Sequence, residues 1–296
     1  MLHNKLTGMG VALITPFKTD GSVDFDALGK LVDFQIENDA NYLVVCGTTA
    51  EIPTLTQKER EQIMHFVVER NNGRLPIVVG IGGYNTARIV QRVSSADFNG
   101  ISAVLSVVPY YNKPSQEGMY QHFRAIATAT DMPIILYNVP GRTGTNMSAQ
   151  TTLRLAHEFG NIAAIKEASG NFQQIDEIIK NKPQNFMVIS GDDGTTFPLI
   201  TLGAVGVISV IGNAFPREFS KMVRLALAGD LADAREIHYR FMELIELLFV
   251  DGSPAGVKNM LSEMGMIENV LRLPLVPTSV ATKEKISKAL KEIKKL

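Results

Sequence analysis

Short apolar runs rich in β-branched residues recur about eight times in the chain before Pro216. Segments whose apolar residues follow the spacing of a helix lie between them. Strands this apolar are typical of a parallel sheet covered on both faces, and about eight repeats of the unit favour closure into a barrel. The pattern therefore predicts an α/β fold of the (β/α)8 (TIM) barrel type. The runs are 10–14, 42–45, 77–80, 103–108, 134–137, 163–166, 186–190 and 207–210.

After Pro216 the pattern changes to helices only. The first predicted helix completes the barrel, and the others form a C-terminal helical extension. We therefore expect a catalytic barrel over 1–229 and the extension over 230–296. The predicted helices are 219–228, 231–249, 255–264 and 283–294.

The composition is that of a globular enzyme. Of the 296 residues, 45% are hydrophobic and 20% are charged, and the formal net charge is -1, so bulk electrostatics favour neither nucleic acid nor an anionic membrane as a partner. The single cysteine, Cys46, excludes an intramolecular disulfide. No apolar stretch approaches the ~18 residues of a membrane span, and no apolar leader precedes the first strand, so we expect a reducing cytoplasm.

A lysine ends the sixth apolar run, Ile-Ala-Ala-Ile-Lys166. Burying an unpaired ammonium ion costs several kcal/mol. We therefore expect the group either to find a partner or to lose its proton through a lowered pKa and become a nucleophilic amine. Glu167 is the nearest candidate partner. The alternative is that Lys166 lies at the end of the strand and extends its amine into solvent.

The residues that follow other strands are also polar, and in a closed parallel barrel these loops converge on one rim. Thr48 and Thr49, after the second run, offer hydroxyl and backbone N–H groups that suit a carboxylate, although an ordinary threonine-rich turn is the alternative. Tyr110 and Tyr111, after the fourth run, lie on a loop where the core does not need them. Packing between subunits would also explain that pair.

The fifth run ends at Tyr137 and is followed by Arg142. Consecutive strands of a parallel barrel are neighbours, so Tyr137 is expected beside Lys166, where a phenol can carry protons for an amine. The planar, permanently charged group of Arg142 suits a carboxylate. These neighbours favour a catalytic Lys166 over a solvated one.

Other candidate sites are weaker. The histidines at 3, 65, 122, 157 and 238 lack the paired spacing of metal ligands, and we expect neither a metal nor an organic cofactor. Cys46 follows an apolar strand and fits a small buried hydrophobe better than a nucleophile. The last predicted helix carries an apolar stripe opposite its lysines, which favours a solvated face over a membrane or nucleic-acid patch.

Four motifs carry a resemblance to a known family. They are a Gly-Thr-Thr-x-Glu loop at 47–51, Pro-Tyr-Tyr-Asn-Lys-Pro-Ser-Gln-Glu-Gly at 109–118, Tyr-Asn-Val-Pro-Gly-Arg-Thr-Gly at 137–144 and the strand lysine. The chain resembles the pyruvate-dependent class I aldolases and, within them, the 4-hydroxy-tetrahydrodipicolinate synthase (dihydrodipicolinate synthase) family. The resemblance extends from residue 10 to the C-terminal helices.

The resemblance implies a (β/α)8 lyase in which Lys166 forms a Schiff base with pyruvate. It makes Thr48 and Tyr137 members of a proton relay with Tyr111, which in the family reaches across a tight dimer interface into the partner's site. It also implies a homotetramer built as a dimer of dimers.

The remaining implied roles concern substrate binding. Thr49 would bind the pyruvate carboxylate, and the backbones of Gly191 and Ile208 would help to position Lys166 and the substrate. Arg142 would bind the carboxylate of the second substrate, L-aspartate 4-semialdehyde. The implied product is 4-hydroxy-tetrahydrodipicolinate, on the pathway to diaminopimelate and lysine.

Two alternatives remain. Another pyruvate-dependent lyase, such as N-acetylneuraminate lyase or a keto-sugar-acid aldolase, would share Lys166 and Tyr137 but would not need Arg142. A non-catalytic barrel that senses a keto acid is the other, and there the Thr48–Tyr111–Tyr137 relay would be idle.

The resemblance also bears on regulation. Family members inhibited by L-lysine bind it beside the first tyrosine of the pair, with a histidine, an asparagine and a glutamate among the contacts. The corresponding positions here are Gln57, Tyr84 and Arg88. A cation facing a cationic ligand weakens binding, so we expect weak or absent inhibition by lysine.

Overall fold

The structure is a computed structural model, and it describes residues 2–293. Eight parallel strands, hydrogen-bonded to one another in chain order, close into a barrel when the last strand pairs with the first. The predicted fold class is therefore confirmed. The strands are β1 Gly8–Ala12, β2 Tyr42–Val45, β3 Ile77–Gly80, β4 Ala103–Val107, β5 Ile134–Asn138, β6 Ile162–Glu167, β7 Met187–Ser190 and β8 Gly206–Ser209.

The first strand begins two residues earlier than the apolar run that predicted it. Gly8 and Met9 pair with Gly206 and Val207, and this pairing closes the barrel. A Cβ built on Gly206 would lie 1.9 Å from the Gly8 carbonyl oxygen, and the φ of Gly206 is +148°, so only glycine fits there. Glycines where β1 pairs with β8 weaken the strand pattern in the sequence, which explains why the start of β1 was predicted two residues too late.

Side chains alternate between two buried layers. One layer fills the barrel interior and includes Tyr137, Ala164 and Ile208. The other lies between the strands and the surrounding helices and includes Leu136 and Ile165. Since both layers are apolar, each strand reads as a continuous apolar run, as expected for a parallel sheet covered on both faces.

Helices follow the strands around the barrel. A capping box begins α3, where the Thr56 and Glu59 side chains each accept a hydrogen bond from the other residue's backbone N–H. The short helix α9 was not predicted, because Pro198 interrupts its pattern, although proline is tolerated in a first turn. The barrel helices are α1 Leu2–Leu6, α2 Phe25–Glu37, α3 Gln57–Asn71, α4 Thr86–Ser95, α5 Gln116–Ala127, α6 Pro140–Thr143, α7 Ala149–Glu158, α8 Phe172–Asn181, α9 Thr196–Leu202 and α10 Pro216–Ala228.

Up to residue 293, three more helices follow the barrel: α11 Leu231–Leu247, α12 Ala255–Glu263 and α13 Val280–Ile293. The predicted apolar stripe of the last helix is buried, with Ile286, Ala289 and Leu290 each at most 5% exposed. Residue 294, which ended the predicted helix, lies outside the described residues. None of the helices described is long and apolar enough to cross a membrane.

Candidate active site

Lys166 lies inside the barrel near the end of β6. It is 5% exposed, and it pairs in register with Tyr137 on the neighbouring strand. The two side chains share the interior face, so the Nζ atom of Lys166 lies 4.4 Å from the centre of the Tyr137 ring. The expected contact is therefore present, and the alternative of a lysine extended into solvent is wrong.

Glu167 is not the partner of Lys166. Successive side chains of a strand point to opposite faces, so the Glu167 carboxylate lies outside the barrel while the amine lies inside it. There it accepts hydrogen bonds from the Asn138 side chain at 3.1 and 3.2 Å and from the backbone N–H of Ser169 at 2.9 Å. Within residues 2–293 Lys166 forms no ion pair, which leaves its amine to face the interior.

A hydrogen-bond network lies directly behind the lysine and the tyrosine. Asn138 pairs in register with Glu167, one position after the pair inside the barrel, and also accepts a hydrogen bond from the Met147 backbone N–H at 3.0 Å. Burial raises the pKa of the Glu167 carboxyl, while these hydrogen bonds oppose the shift. Sequence reasoning missed this role, although alternation along the strand could have placed both residues on the outer face.

The loop after β2 brings its threonines to the same end of the barrel. Residues Thr48–Ala50 form one 3₁₀ turn, in which the Ala50 N–H donates to the Gly47 carbonyl at 3.2 Å. Thr49 is 5% exposed, and the Thr15 hydroxyl donates to the Ala50 carbonyl at 2.9 Å. The ordinary-turn alternative describes the backbone correctly, but the turn also borders the site.

A cavity of about 330 Å³ opens at this end of the barrel. It is large enough for a small keto acid. A second cavity of about 300 Å³ shares Gly47, Thr48, Tyr137 and Arg142 with the first and extends to Tyr110. The first cavity brings together these predicted residues: Thr48, Thr49, Tyr137, Arg142, Lys166 and Gly191.

Arg142 lies on the short helix α6, at the mouth of both cavities. Its side chain is exposed, and no carboxylate in the described part of the chain forms an ion pair with it. A guanidinium group without an internal partner can bind an incoming carboxylate through two parallel hydrogen bonds.

Gly191 and Ile208 come from the ends of β7 and β8. The Gly191 N–H donates to the Glu167 carbonyl at 2.7 Å, which ties the loop after β7 to the strand of the lysine. A Cβ built on Gly191 would lie 3.0 Å from Cε of Lys166 and 2.8 Å from Cβ of Ala168. Ile208 is fully buried in the interior layer but does not border the 330 Å³ cavity.

The close approach of Gly191 to the Lys166 side chain predicts that Gly191→Ala slows the reaction at Lys166. The added methyl group would push the lysine side chain from its position, and we expect kcat/KM for a ketone substrate to fall by about tenfold. Gly160→Ala is the matched control, since nothing lies within 4 Å of the Cβ added there. Steady-state kinetics on both variants test this, and an unaffected Gly191→Ala enzyme would contradict it.

Tyr111, like Ile208, is a predicted site residue that does not border the cavity of its own chain. It is 89% exposed, has a left-handed backbone with φ of 71°, and borders neither cavity. Tyr110 borders the second cavity instead and packs edge-on against Tyr84, with ring centres 5.2 Å apart.

Cys46 behaves as predicted from its position after an apolar strand. It is 3% exposed, and burial raises the pKa of its thiol to about 11, with Arg60 and Arg92 opposing the shift. A thiol protonated at neutral pH is a poor nucleophile.

A buried strand lysine beside a tyrosine, with a threonine turn and an arginine at the same cavity, defines a barrel enzyme of the class I aldolase type, which works through a Schiff base. A sequence profile described as "Dihydrodipicolinate synthetase family" matches residues 5–293. The chain belongs to this family.

Similar proteins match this chain over nearly their full length. Those from Parabacteroides distasonis and Phocaeicola vulgatus, both called 4-hydroxy-tetrahydrodipicolinate synthase, are 67% and 65% identical, each over 99% of both chains. Dihydrodipicolinate synthase from Aquifex aeolicus is 45% identical, with a TM-score of 0.95 over 98% of both chains. The Cyanidioschyzon merolae structure, described as having lysine bound, is 36% identical, with a TM-score of 0.95 over 99% of this chain and 100% of that one.

Proposed function

We propose that this chain condenses pyruvate with L-aspartate 4-semialdehyde to give 4-hydroxy-tetrahydrodipicolinate. The observation that carries the proposal is the buried Lys166 amine, 4.4 Å from the Tyr137 ring, on a cavity that also includes Thr48 and Thr49. Membership of the family, and the names of relatives up to 67% identical, support the same reaction.

The first step joins pyruvate to the enzyme. The Lys166 amine adds to the ketone carbon, and loss of water leaves a protonated imine. Thr49, buried beside the cavity, binds the pyruvate carboxylate with its hydroxyl and its own backbone N–H. Gly191 leaves space for the lysine side chain beside it.

The second step creates the carbon nucleophile. The protonated imine withdraws electrons, so the methyl group of pyruvate loses a proton and an enamine forms. Tyr137, whose ring adjoins the amine, carries protons to and from the adduct together with Thr48.

The last steps form the product and free the enzyme. The enamine carbon adds to the aldehyde carbon of the semialdehyde, whose oxygen takes a proton and becomes a hydroxyl group. Arg142, at the mouth of the cavity, binds the carboxylate of this substrate. The amine of the semialdehyde then attacks the imine carbon, the bond to Lys166 breaks, and the ring closes.

Oligomerisation belongs to the same proposal. Tyr111, exposed and outside its own chain's cavity, completes the proton relay of a second copy across a dimer interface. Two such dimers form a tetramer. The barrel over 1–229 carries the reacting groups, the extension over 230–296 supports it, and the enzyme works in the cytoplasm.

A coupled assay with pyruvate and L-aspartate 4-semialdehyde tests the function. We expect turnover with this pair and none with N-acetylneuraminate, because Arg142 suits the carboxylate of the semialdehyde. Cleavage of N-acetylneuraminate would favour the alternative lyase, and binding of pyruvate without turnover would favour a sensor.

Weak or absent inhibition by L-lysine stays a prediction. Tyr84 packs on Tyr110, and Arg88 lies four residues later in the chain, in the first turn of α4, so the residues at these two positions are bulky and positively charged. A like-charge contact of about 1.4 kcal/mol weakens binding tenfold. Titration of the enzyme with L-lysine should leave activity unchanged below about 1 mM. Cooperative inhibition in that range would contradict the prediction, and Arg88→Glu with Tyr84→Asn should increase sensitivity.

A further inference from the structure

A cluster of four charged residues, two of them fully buried and two partly buried, joins the barrel to the C-terminal extension. It consists of Glu51 and Glu59 from the barrel and Lys258 and Arg272 from the extension, and we call it the four-charge cluster. None of these side chains borders the 330 Å³ cavity, and the reaction proposed above uses none of them.

Glu51 is held at both oxygens of its carboxylate. Oε1 lies 2.5 Å from Nζ of Lys258, with both side chains fully buried, and Oε2 accepts a hydrogen bond from the Arg272 backbone N–H at 3.0 Å. Burial lowers the pKa of the Lys258 ammonium to about 8, and Glu51 opposes that shift, so the ammonium is charged at pH 7. A buried ion pair is strongly destabilised when only one partner is removed.

The cationic side of the cluster is itself fixed. The Arg272 guanidinium bonds to Glu59 at 2.5 and 3.0 Å and to the Gly21 carbonyl at 2.7 and 2.9 Å. Both cations also lie over the Phe17 ring, with Nζ of Lys258 4.1 Å and the Arg272 guanidinium 4.4 Å from its centre. Glu51 is therefore attached to a rigid part of the extension.

Glu51 also ends the turn that carries the two threonines. Its N–H donates to the Thr48 carbonyl at 3.1 Å, and its φ is 55°. Cys46, just before the turn, has φ of 56°, so left-handed residues flank both ends of the turn. Such backbones are uncommon for side chains like these and persist where the surroundings hold them.

We propose that Glu51 is a positioning residue, through which Lys258 and Arg272 of the extension hold the Thr48–Thr49 turn in place at the active site. The inference deepens the proposed function and rests on it. Glu51 touches no substrate. It acts by fixing where Thr49 meets the pyruvate carboxylate and where Thr48 meets the proton relay.

The test uses a double variant, Glu51→Gln with Lys258→Met, in the full-length chain. Removing both charges avoids an unpaired buried charge, so the double variant should fold more stably than Glu51→Gln alone. The turn still lacks its ion pair. Because a misplacement of about 1 Å can cost about 10²-fold in rate, we expect kcat/KM for pyruvate to fall about 10- to 100-fold in both variants.

Comparing KM for pyruvate with KM for the semialdehyde distinguishes loss of turn positioning from a general loss of stability. Arg142, on α6, is not attached to the turn, so KM for the semialdehyde should stay within about twofold. Asp33→Asn is the matched control, because it removes a carboxylate from Arg70 and Arg74, outside both the four-charge cluster and the cavity. It should lower stability and leave KM for pyruvate unchanged.

Hydrogen exchange on the unliganded chain gives a readout that needs no substrate. The N–H groups of Ala50 and Glu51 close the turn, and they should exchange faster in the double variant than in the wild type or in Asp33→Asn. If the wild-type chain does not turn over pyruvate, the proposed function fails, and the exchange result alone decides the role of Glu51. The proposal would be overturned if the double variant regained kcat/KM for pyruvate together with its stability, relative to Glu51→Gln alone. It would also be overturned if hydrogen exchange in the turn were the same as in the wild type.

Discussion

Lys166→Arg is expected to reduce turnover by roughly 10³-fold or more, the largest effect of any single substitution, because a guanidinium keeps the charge but cannot form the imine. The fold should survive, since the side chain faces a cavity and makes no ion pair within residues 2–293. Steady-state kinetics at saturating pyruvate and semialdehyde measure the loss.

Lys180→Arg is the control for that substitution. Lys180 lies on the exposed face of α8, outside the site, so its replacement should leave kcat and KM unchanged. If Lys166→Arg retained more than about a tenth of wild-type turnover, covalent catalysis by this lysine would be wrong.

Tyr137→Phe should give the second largest effect, about 10²-fold in kcat. The ring would still pack 4.4 Å from the lysine amine, so only the proton-carrying hydroxyl is lost. Imine formation and release both need proton transfer, and both should slow. Rapid-quench measurement of the pyruvate adduct separates these steps from carbon–carbon bond formation.

The exposed Tyr239 offers a matched comparison, because it is 68% exposed and lies on α11 away from the cavity. Tyr239→Phe should behave as wild type. A Tyr137→Phe enzyme with normal kcat would show that the hydroxyl carries no proton and that the contact serves packing alone.

Local regularities in the sequence were enough to predict the barrel and the Lys166 contact. Apolar runs separated by helical segments predict parallel neighbours, and neighbouring strands bring Tyr137 beside Lys166. Successive side chains along a strand point to opposite faces of the sheet. Applied to Glu167, which follows Lys166 directly, this rule would have excluded it as the partner. The error came from using sequence distance in place of strand geometry.

Contacts between distant parts of the chain could not be predicted in this way. Glu51 and Arg272 are 221 positions apart, and nothing in the local pattern of either segment signals the other. The glycine at 191 looks like a loop residue in the local pattern, and its place beside Lys166 was implied only by the resemblance to the family before the structure showed the contact. Such contacts depend on how the extension and loops pack, which no single segment encodes.

Reduction of the enzyme with borohydride in the presence of pyruvate tests the central claim most directly. The reagent converts an imine into a stable secondary amine, so peptide mapping by mass spectrometry locates the lysine that formed it. We expect one reduced pyruvate adduct per chain, on Lys166, and none in Lys166→Arg. An adduct on any other lysine, or none while the enzyme turns over, would contradict the mechanism.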